Sequence, residues 1–525
     1  MVARMMKNCT SCGDVQIFSV TSPKPDPCKL ANGRPCASCF ELENFDREAE
    51  AILERLSEDR RKILAKINRD HDPFIQRFPL ELASRVFDFC IPPQDTYRYP
   101  RFIPLLWNAS KSQYIKPFNI VLGAICQAWR QVAWSTPELW STLPISLHRC
   151  GNRTYKGLVL EWLGRSAQTP LDVFLVDNDV AGSVPLTEEY VEVWKPFIDI
   201  ANGCSSRWRS FHIHASDLVL SYITGDGQGT CILECLRVSL AESEHQRSSH
   251  RFSLTNAIPM PSELYSIAMP LRSIDIDWSN LITIEIGGLY VNEFLALLRW
   301  APRLTRCKLL DLQDGQDEAL LLPTPTCHHI LHTLEIEALH NQRTAEQLLG
   351  LLNLPSLISL FFDSVVNSVE NVATFLDRSA CRLTTLNDID GNFHKLLALA
   401  PHLQALERLE YPGDFGSVTI QEKNELGPNI LPNLRRILIC GGQIPWCLWA
   451  DLIVSCPPKP LSIHVEGLDS HVEDLLIDKG STRRFQDLIK NGYDIEITYR
   501  LWDEGERDLL AWSVERQSSG LNRVY

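Results

Sequence analysis

A strand-like pattern of apolar residues recurs along most of the chain and constrains its fold more than any other feature. Nine segments place apolar side chains at the first, fourth and sixth positions, one of them displaced by a residue at its end. The triads are Trp208-Phe211-Ile213, Leu233-Leu236-Val238, Leu281-Ile284-Ile286, Leu304-Cys307-Leu309, Leu331-Leu334-Ile336, Leu357-Leu360-Phe362, Leu383-Leu386-Ile389, Leu406-Leu409-Tyr411 and Leu434-Ile437-Ile439. From Leu281 onward, successive triads begin 23, 27, 26, 26, 23 and 28 residues apart. A period of this length indicates one structural unit per repeat.

Helical patterns lie between the strand-like triads in the second half of the chain. They cover 291–300, 345–352, 369–376, 393–399 and 447–454. One strand and one helix cannot bury their own apolar faces, whereas stacked neighbouring units can. We therefore expect an arc whose parallel strands form the concave side. The less regular stretch before Leu281 is interpreted as the first units of the same arc.

The region 78–147 has a helical pattern instead. Its first helix carries apolar side chains at Leu82, Val86 and Phe87, and a second helical period covers 121–132. A module of this size cannot bury all of its apolar side chains, so we expect some of them to face a partner protein.

This region resembles the F-box-like domain of large fungal protein families. The matching residues are Phe78-Pro79-Leu80-Glu81-Leu82, Val86-Phe87-Asp88-Phe89-Cys90, Val121-Leu122, Cys126, Trp129-Arg130, Ala133 and Thr136-Pro137-Glu138-Leu139-Trp140-Ser141. The insertion from Gln94 to Pro117 is longer than the resemblance leads us to expect. An F-box docks a Skp-type adaptor of a cullin-RING ubiquitin ligase. The resemblance implies that the adaptor-facing residues are Pro79, Leu80, Leu82, Val86, Phe87, Val121, Leu122 and Trp129.

The repeats resemble irregular leucine-rich repeats, which often follow an F-box. The asparagine or cysteine ladder of regular repeats is mostly absent. Residues that alternate with the apolar strand positions do not pack the core, so they are candidates for binding a protein target. We select Glu335, Glu337 and Arg435, with Tyr411 as an aromatic anchor. Tyr411 also occupies the third apolar position of its triad, and it would then belong to the core.

Two Cys-x-x-Cys pairs lie in the N-terminal segment 1–40, which otherwise has no apolar period. Cys9 with Cys12 and Cys36 with Cys39 have the spacing of zinc-ligating thiolates. Few apolar residues are available to pack around a metal. We therefore expect a flexible cysteine-rich segment without a cofactor, and zinc binding is the alternative.

The next segment, 41–72, predicts a long amphipathic helix. Leu42, Phe45, Ile52 and Leu56 belong to an apolar stripe, and the remainder is densely charged with both signs. We expect this stripe to pack on its own chain, and a short coiled coil is the alternative.

Composition limits the partners and the compartment. The net charge of −14, without a long Lys/Arg block, argues against nucleic acid or an anionic membrane surface as the main partner. The 17 cysteines are an odd number and mostly fall in helical or strand patterns. They fit buried thiols in a reducing cytoplasm or nucleus better than a disulfide framework. No apolar run approaches the ~18–20 residues that span a bilayer.

The sequence contains no constellation that requires catalysis, so we do not expect an enzyme. Gly-x-Ser-x-Gly, Walker and His-Glu-x-x-His motifs are absent, and the carboxylates are scattered.

The expected fold class is α+β with a solenoid, in which a short helical module precedes an α/β arc with a parallel concave sheet. The expected segments are the cysteine-rich 1–40, the helix 41–72, the F-box-like domain 73–149, the irregular repeats 150–498 and the tail 499–525. The first function hypothesis is a substrate-recognition adaptor of a Skp-cullin-F-box type ubiquitin ligase, which binds an unknown protein target. The alternative is a non-enzymatic scaffold or binding protein, in which the F-box-like segment only caps the solenoid.

Overall fold

A computed structural model describes two compact units, Met1–Trp140 and Ser141–Tyr525. The described residues are 2–8, 15–21, 36–70, 77–91, 118–177, 188–240, 250–267, 269–313, 325–337, 342–362, 368–388, 393–412, 430–440, 444, 446–456, 460–467, 476–501 and 507–518. The insertion 94–117 and the cysteines Cys9 and Cys12 lie outside these residues.

The first unit combines a β-hairpin with helices. Its elements are β1 (Val2–Asn8), β2 (Val15–Thr21), α1 (Ala37–Asp70), α2 (Leu80–Phe89), α3 (Phe118–Ile125), α4 (Gln127–Ser135) and a 3-10 turn, Pro137–Trp140. The antiparallel pairing of β1 with β2 was not anticipated from the sequence. The expected helix 41–72 is present as α1, which begins earlier, so that Cys39 lies inside it.

Helices α2 and α3 both pack against α4. The Phe87 ring centroid lies 4.8 Å from that of Trp129. The 3-10 turn is tied to the helices by side-chain hydrogen bonds. Trp140 Nε1 donates to the Ala133 carbonyl at 2.8 Å, and Asn119 Nδ2 donates to the Leu139 carbonyl at 3.1 Å. These contacts make the module a folded unit with its own core.

The second unit is organised around one large, mostly parallel sheet. Its strands are β3 (Thr142–Ser146), β4 (Leu171–Val176), β5 (Trp208–Ala215), β6 (Cys235–Leu240), β7 (Glu263–Ile267), β8 (Thr283–Ile286), β9 (Leu289–Tyr290), β10 (Arg306–Leu309), β11 (Leu312–Gln313), β12 (Thr326–Cys327), β13 (Thr333–Ile336), β14 (Leu352–Asn353), β15 (Ser359–Phe362), β16 (Thr385–Asp388), β17 (Arg408–Pro412), β18 (Arg436–Cys440), β19 (Leu461–Gly467), β20 (Ile495–Leu501) and β21 (Arg507–Asp508). Fifteen of these strands form the sheet in chain order, while β9 with β11 and β12 with β14 form separate short pairs. Within the sheet, only β21 is antiparallel to its neighbour among the described strands.

Most of the helices connect successive strands of this sheet. They are α5 (Arg153–Arg165), α6 (Glu188–Gly203), α7 (Asp217–Leu220), α8 (Val291–Trp300), α9 (Gln342–Leu351), α10 (Val369–Ser379), α11 (Phe393–Leu399), α12 (Trp446–Ser455), α13 (Lys479–Lys490) and α14 (Leu509–Ser518). The expected helices 291–300 and 393–399 have the bounds that the sequence predicts, and the others shift by a few residues. No helix of the described residues is long and apolar enough to cross a membrane.

One buried residue of each parallel strand of the large sheet pairs in register with the next, and together these residues form what we call the apolar column. Its members are Leu143, Val173, Phe211, Leu236, Leu264, Ile284, Cys307, Leu334, Leu360, Leu386, Leu409, Ile437, Ile463 and Ile497. Each is at most 5% exposed. The middle residues of all nine sequence triads belong to this column, so the predicted strand pattern is confirmed.

The ends of the sheet differ from the expected segment boundaries. Strand β3 belongs to the sheet although the sequence placed it in the segment 73–149. At its outer edge, the Tyr155 hydroxyl accepts a hydrogen bond from Ser146 N at 2.9 Å and donates to the Pro144 carbonyl at 3.3 Å.

At the other end, β20 crosses the expected boundary at 498, and α14 packs against it. The Tyr499 and Trp512 rings stack at 5.4 Å, and the Ser513 hydroxyl accepts a hydrogen bond from Ile477 N at 3.1 Å. The expected tail 499–525 is therefore part of the second unit as far as Ser518, because Leu509 and Ser513 are buried there.

Shortening one residue of the apolar column should destabilise the second unit much more than shortening its neighbour. We expect Leu334→Ala to lower the free energy of unfolding by ~2–5 kcal/mol, because it leaves a cavity in a closed core. Glu335→Ala, on the opposite face of the same strand, should cost less than ~1 kcal/mol. Urea unfolding followed by circular dichroism measures both changes. Equal losses in the two variants would contradict this division of the strand.

Candidate functional site

The first candidate surface lies on α2, whose apolar residues form two adjacent stripes. Ala83 and Phe87 are buried in the module. Leu82, Val86 and Phe89, at i, i+4 and i+7, point to solvent on the neighbouring stripe, and Phe89 is 87% exposed. A helix normally buries one apolar stripe and exposes polar residues. The second stripe is therefore available for a partner.

Helix α3 repeats this arrangement. Leu122 is buried, whereas Val121 and Ile125 are exposed on one face of the helix. We define the docking surface by the exposed apolar residues of both helices. Its members are Pro79, Leu80, Leu82, Val86, Phe89, Val121 and Ile125.

Two of the residues assigned to the adaptor from the sequence have another role. Phe87 is 1% exposed and Leu122 is 4% exposed, so both build the core and cannot contact a partner directly. Trp129 is half-buried against Phe87. The sequence did not lead us to select Phe89 and Ile125. Phe89 lies three residues after the exposed Val86, and Ile125 lies four residues after the exposed Val121, so helical spacing places each beside an exposed residue.

The second candidate surface is the sheet face opposite the apolar column. Alternate residues of β4 to β17 pair in register there and form what we call the mixed column. Its members are Phe174, His212, Arg237, Tyr265, Glu285, Lys308, Glu335, Phe361, Asn387 and Glu410. Most are half-buried. Charged and aromatic side chains are therefore interspersed along one sheet face.

Charged side chains of the mixed column have partners on the same sheet face. Lys308 Nζ lies 2.6 Å from a Glu337 carboxylate oxygen and 3.6 Å from one of Glu285. The Arg237 guanidinium lies 5.5 Å from the centre of the Tyr265 ring. Such pairs hold the side chains in place, although each half-exposed pair contributes little stability by itself.

The electrostatics of this face follow from partial burial. Burial raises the pKa of Glu285 above its ordinary value, although the Lys308 ammonium opposes the change. Burial alone would lower the pKa of Lys308, but the hydrogen bond to Glu337 and the nearby carboxylates outweigh it and raise the pKa. Lys308 is therefore held in its charged form between carboxylates.

The target-binding residues selected from the sequence divide into two groups. Glu335 is half-buried in the mixed column, and Glu337 follows β13 on the same face. Arg435 is exposed beside a cavity of about 410 Å³, which is also lined by Arg436 and Asp494. These residues are all accessible to a partner.

Tyr411 is not available as an anchor. Its side chain is 1% exposed, and its ring makes an edge contact with Trp449 of α12 at 5.4 Å. The choice of Tyr411 as a target-binding residue was wrong. The physical reason is the two-residue period of a strand, which turns the third triad position to the same face as the apolar column.

A metal site finds no support in the described part of the chain, where no group of His, Cys, Asp or Glu could hold an ion. Cys36 and Cys39 lie at the start of α1. Their proposed partners, Cys9 and Cys12, fall outside the described residues.

No protein-family model matches the chain, and no curated protein matches it. The interpretation of both surfaces therefore depends on their geometry and chemistry.

One residue of the mixed column should make stability depend on pH. Burial against Phe174, whose ring stacks on His212 at 4.3 Å, together with the Arg237 charge, lowers the pKa of His212 from 6.5 to about 3. Below pH 6.5 the unfolded state takes up a proton on this residue, whereas the folded state does not. The contribution of His212 to stability is therefore full above pH 6.5 and declines as the pH falls towards 3.

We expect the free energy of unfolding to fall between pH 7 and pH 5 with a contribution from His212 of up to ~1.4 kcal/mol per pH unit. Urea titrations across this range should show a shallower pH dependence for His212→Phe. His332→Phe, at an exposed position, controls for the loss of an imidazole. An unchanged slope in His212→Phe would refute the assignment.

Proposed function

We propose that the chain is a substrate-recognition adaptor of a Skp-cullin-F-box type ubiquitin ligase and is not itself an enzyme. The docking surface binds the Skp-type adaptor, and the second unit binds the protein target. The observation that carries this proposal is the second, exposed apolar stripe on α2. The segments that carry the F-box-like resemblance include the stripe residues Leu82, Val86 and Phe89, although Phe87 in the same segment is buried.

The energetics of docking support this assignment. Leu82, Val86 and Phe89 are exposed on a helix whose core residues are already packed. Burying such a side chain contributes ~1.5–3 kcal/mol, so a few of them suffice for a small stable interface. Glu81, Arg85 and Asp88 lie on the remaining polar side of α2 and set the rim of the same surface.

For the second unit, we propose a leucine-rich-repeat-like solenoid with the mixed column on its concave face. Two observations support stacked repeat units. The strands pair in chain order, and the fourteen residues of the apolar column stay in register from strand to strand. The target then meets a surface on which paired charges and aromatic rings are already held in position. Preorganised side chains lower the entropy cost of binding.

The docking assignment predicts that the exposed stripe controls adaptor affinity. We expect Leu82→Ala/Val86→Ala to weaken binding of a purified Skp-type adaptor by at least ~100-fold, as measured by isothermal titration calorimetry, because two apolar contacts are lost. The matched control is Arg85→Ala/Asp88→Ala, which truncates exposed polar residues of the same helix and should change the affinity by less than ~5-fold.

Circular dichroism must show that the double variant keeps its helices. Phe87→Ala supplies the opposite control, because removing this buried ring should unfold the module. If the wild-type chain does not bind the adaptor, the scaffold function replaces the ligase function. If it binds but the stripe variant binds equally well, the adaptor uses another surface.

The target surface can be tested without knowing the target. Glu335→Lys/Glu337→Lys reverses two accessible charges beside Lys308. We expect proximity labelling with this variant to lose target proteins that the wild-type chain labels, while the Skp-type adaptor remains labelled. Identical sets of labelled proteins would contradict the role of the mixed column. Lys66→Glu reverses an exposed charge on α1 and is the control for a general effect of charge.

A further inference from the structure

Helix α1 leaves an apolar stripe uncovered along much of its length. It has 34 residues, which corresponds to ~51 Å at 1.5 Å per residue. Leu42, Phe45, Ile52, Leu56 and Ile63 are each between 44% and 67% exposed. The expected packing of this stripe on its own chain is therefore not found in the described residues. Helices in proteins gain most of their stability by packing an apolar face against another surface, so this stripe requires a partner surface.

The spacing of the stripe is that of a coiled-coil seam. With Leu42 at position a of a heptad, Ala49, Leu56 and Ile63 also fall at a, while Phe45 and Ile52 fall at d. We call these six residues the seam. Asp59 and Lys66 occupy the next d positions, so the apolar d positions end before the helix does. The seam thus predicts a short coiled coil of about three heptads.

The charges that flank the seam change sign halfway along the helix. In the first half, the charged residues at positions e and g are Glu41, Asp46 and Glu48, and all are acidic. In the second half they include Arg55, Arg60 and Lys62, which are basic. Positions e and g contact the partner helix in a coiled coil and determine its orientation.

The charges away from the seam are distributed differently. In the second half, a Glu58 carboxylate oxygen lies 2.9 Å from the Arg61 guanidinium, within the same helix. Acidic and basic residues are thus mixed there, and only the seam-flanking positions separate by sign. This separation identifies the chemistry of the partner, which must carry the opposite order of charge along its length.

We propose that α1 pairs with α1 of a second copy of this chain in an antiparallel coiled coil. A second copy running in the opposite direction presents the required order of charge. Glu41 then faces Lys62 of the second copy, and Glu48 faces its Arg55. The same register, centred near residue 51, brings Phe45 against Leu56 of the second copy. A parallel pair would instead place Glu41 beside Asp46 and Arg55 beside Arg60, with like charges adjacent.

The test reverses the charges in one half of the helix in the full-length chain. In an antiparallel dimer, Glu41→Lys/Asp46→Lys/Glu48→Lys replaces attraction by repulsion where positions 41 and 48 face Lys62 and Arg55 of the second copy. In a parallel dimer the same change replaces one repulsion by another. We expect the dissociation constant of the triple variant, measured by sedimentation equilibrium, to rise at least ~10-fold over that of the wild-type dimer.

A matched control reverses three acidic residues that lie away from the seam, Glu43→Lys/Glu50→Lys/Glu54→Lys. This variant should remain a dimer, because those positions do not contact the partner helix. Adding Arg55→Glu/Arg60→Glu/Lys62→Glu to the seam-flanking variant should restore the dimer. Circular dichroism verifies that every variant keeps its helical content.

Three results obtained at one salt concentration would overturn the proposal. The first is a monomeric wild-type chain, the second is a dimer that the seam-flanking reversal leaves unchanged, and the third is a dimer that the combined reversal fails to restore. A weaker wild-type dimer at higher salt is also required, because exposed flanking charges are screened. A dimer strengthened by salt would indicate the parallel arrangement. The outcome is independent of adaptor binding, which uses α2 and α3.

Discussion

The in-register burial of one apolar residue per strand is the interaction on which the second unit depends. The alignment of neighbouring parallel strands is fixed by their backbone hydrogen bonds and by the side chains that those bonds bring together. In this chain each parallel strand of the large sheet contributes a side chain that is almost fully buried to the apolar column. A shift of one residue would turn that side chain to the other face, so burial makes the register unique.

The same register determines the chemistry of the opposite face. Because strand residues alternate, placing Leu334 in the apolar column forces Glu335 into the mixed column, and Cys307 does the same for Lys308. The ion pairs of Lys308 with Glu285 and Glu337 therefore join residues from three different repeats. The polar surface is a consequence of how the core aligns the strands, and its charges can vary without changing the alignment.

Strand and helix patterns could be predicted well because they depend on local periodicity. The helix 291–300 and the middle residues of the triads needed no tertiary information. Strand β7 was not predicted because the third position of its triad is Ser266, a buried serine where the pattern requires an apolar residue. On α2, Val86 and Phe87 are neighbours and both apolar, so the sequence could not tell which one faces α4. That choice depends on the Trp129 ring, which lies far from them in sequence.

A parallel sheet built from one repeated register could in principle keep adding strands, from its own chain or from others. Both ends of this sheet oppose such growth. Strand β3 carries Pro144, which has no N–H to offer, and the Tyr155 hydroxyl occupies the backbone groups of Ser146 and Pro144. The last strand, β21, has two residues, runs antiparallel and exposes Arg507 and Asp508. These features protect the molecule against edge-to-edge polymerisation, the main hazard of a long repeated sheet.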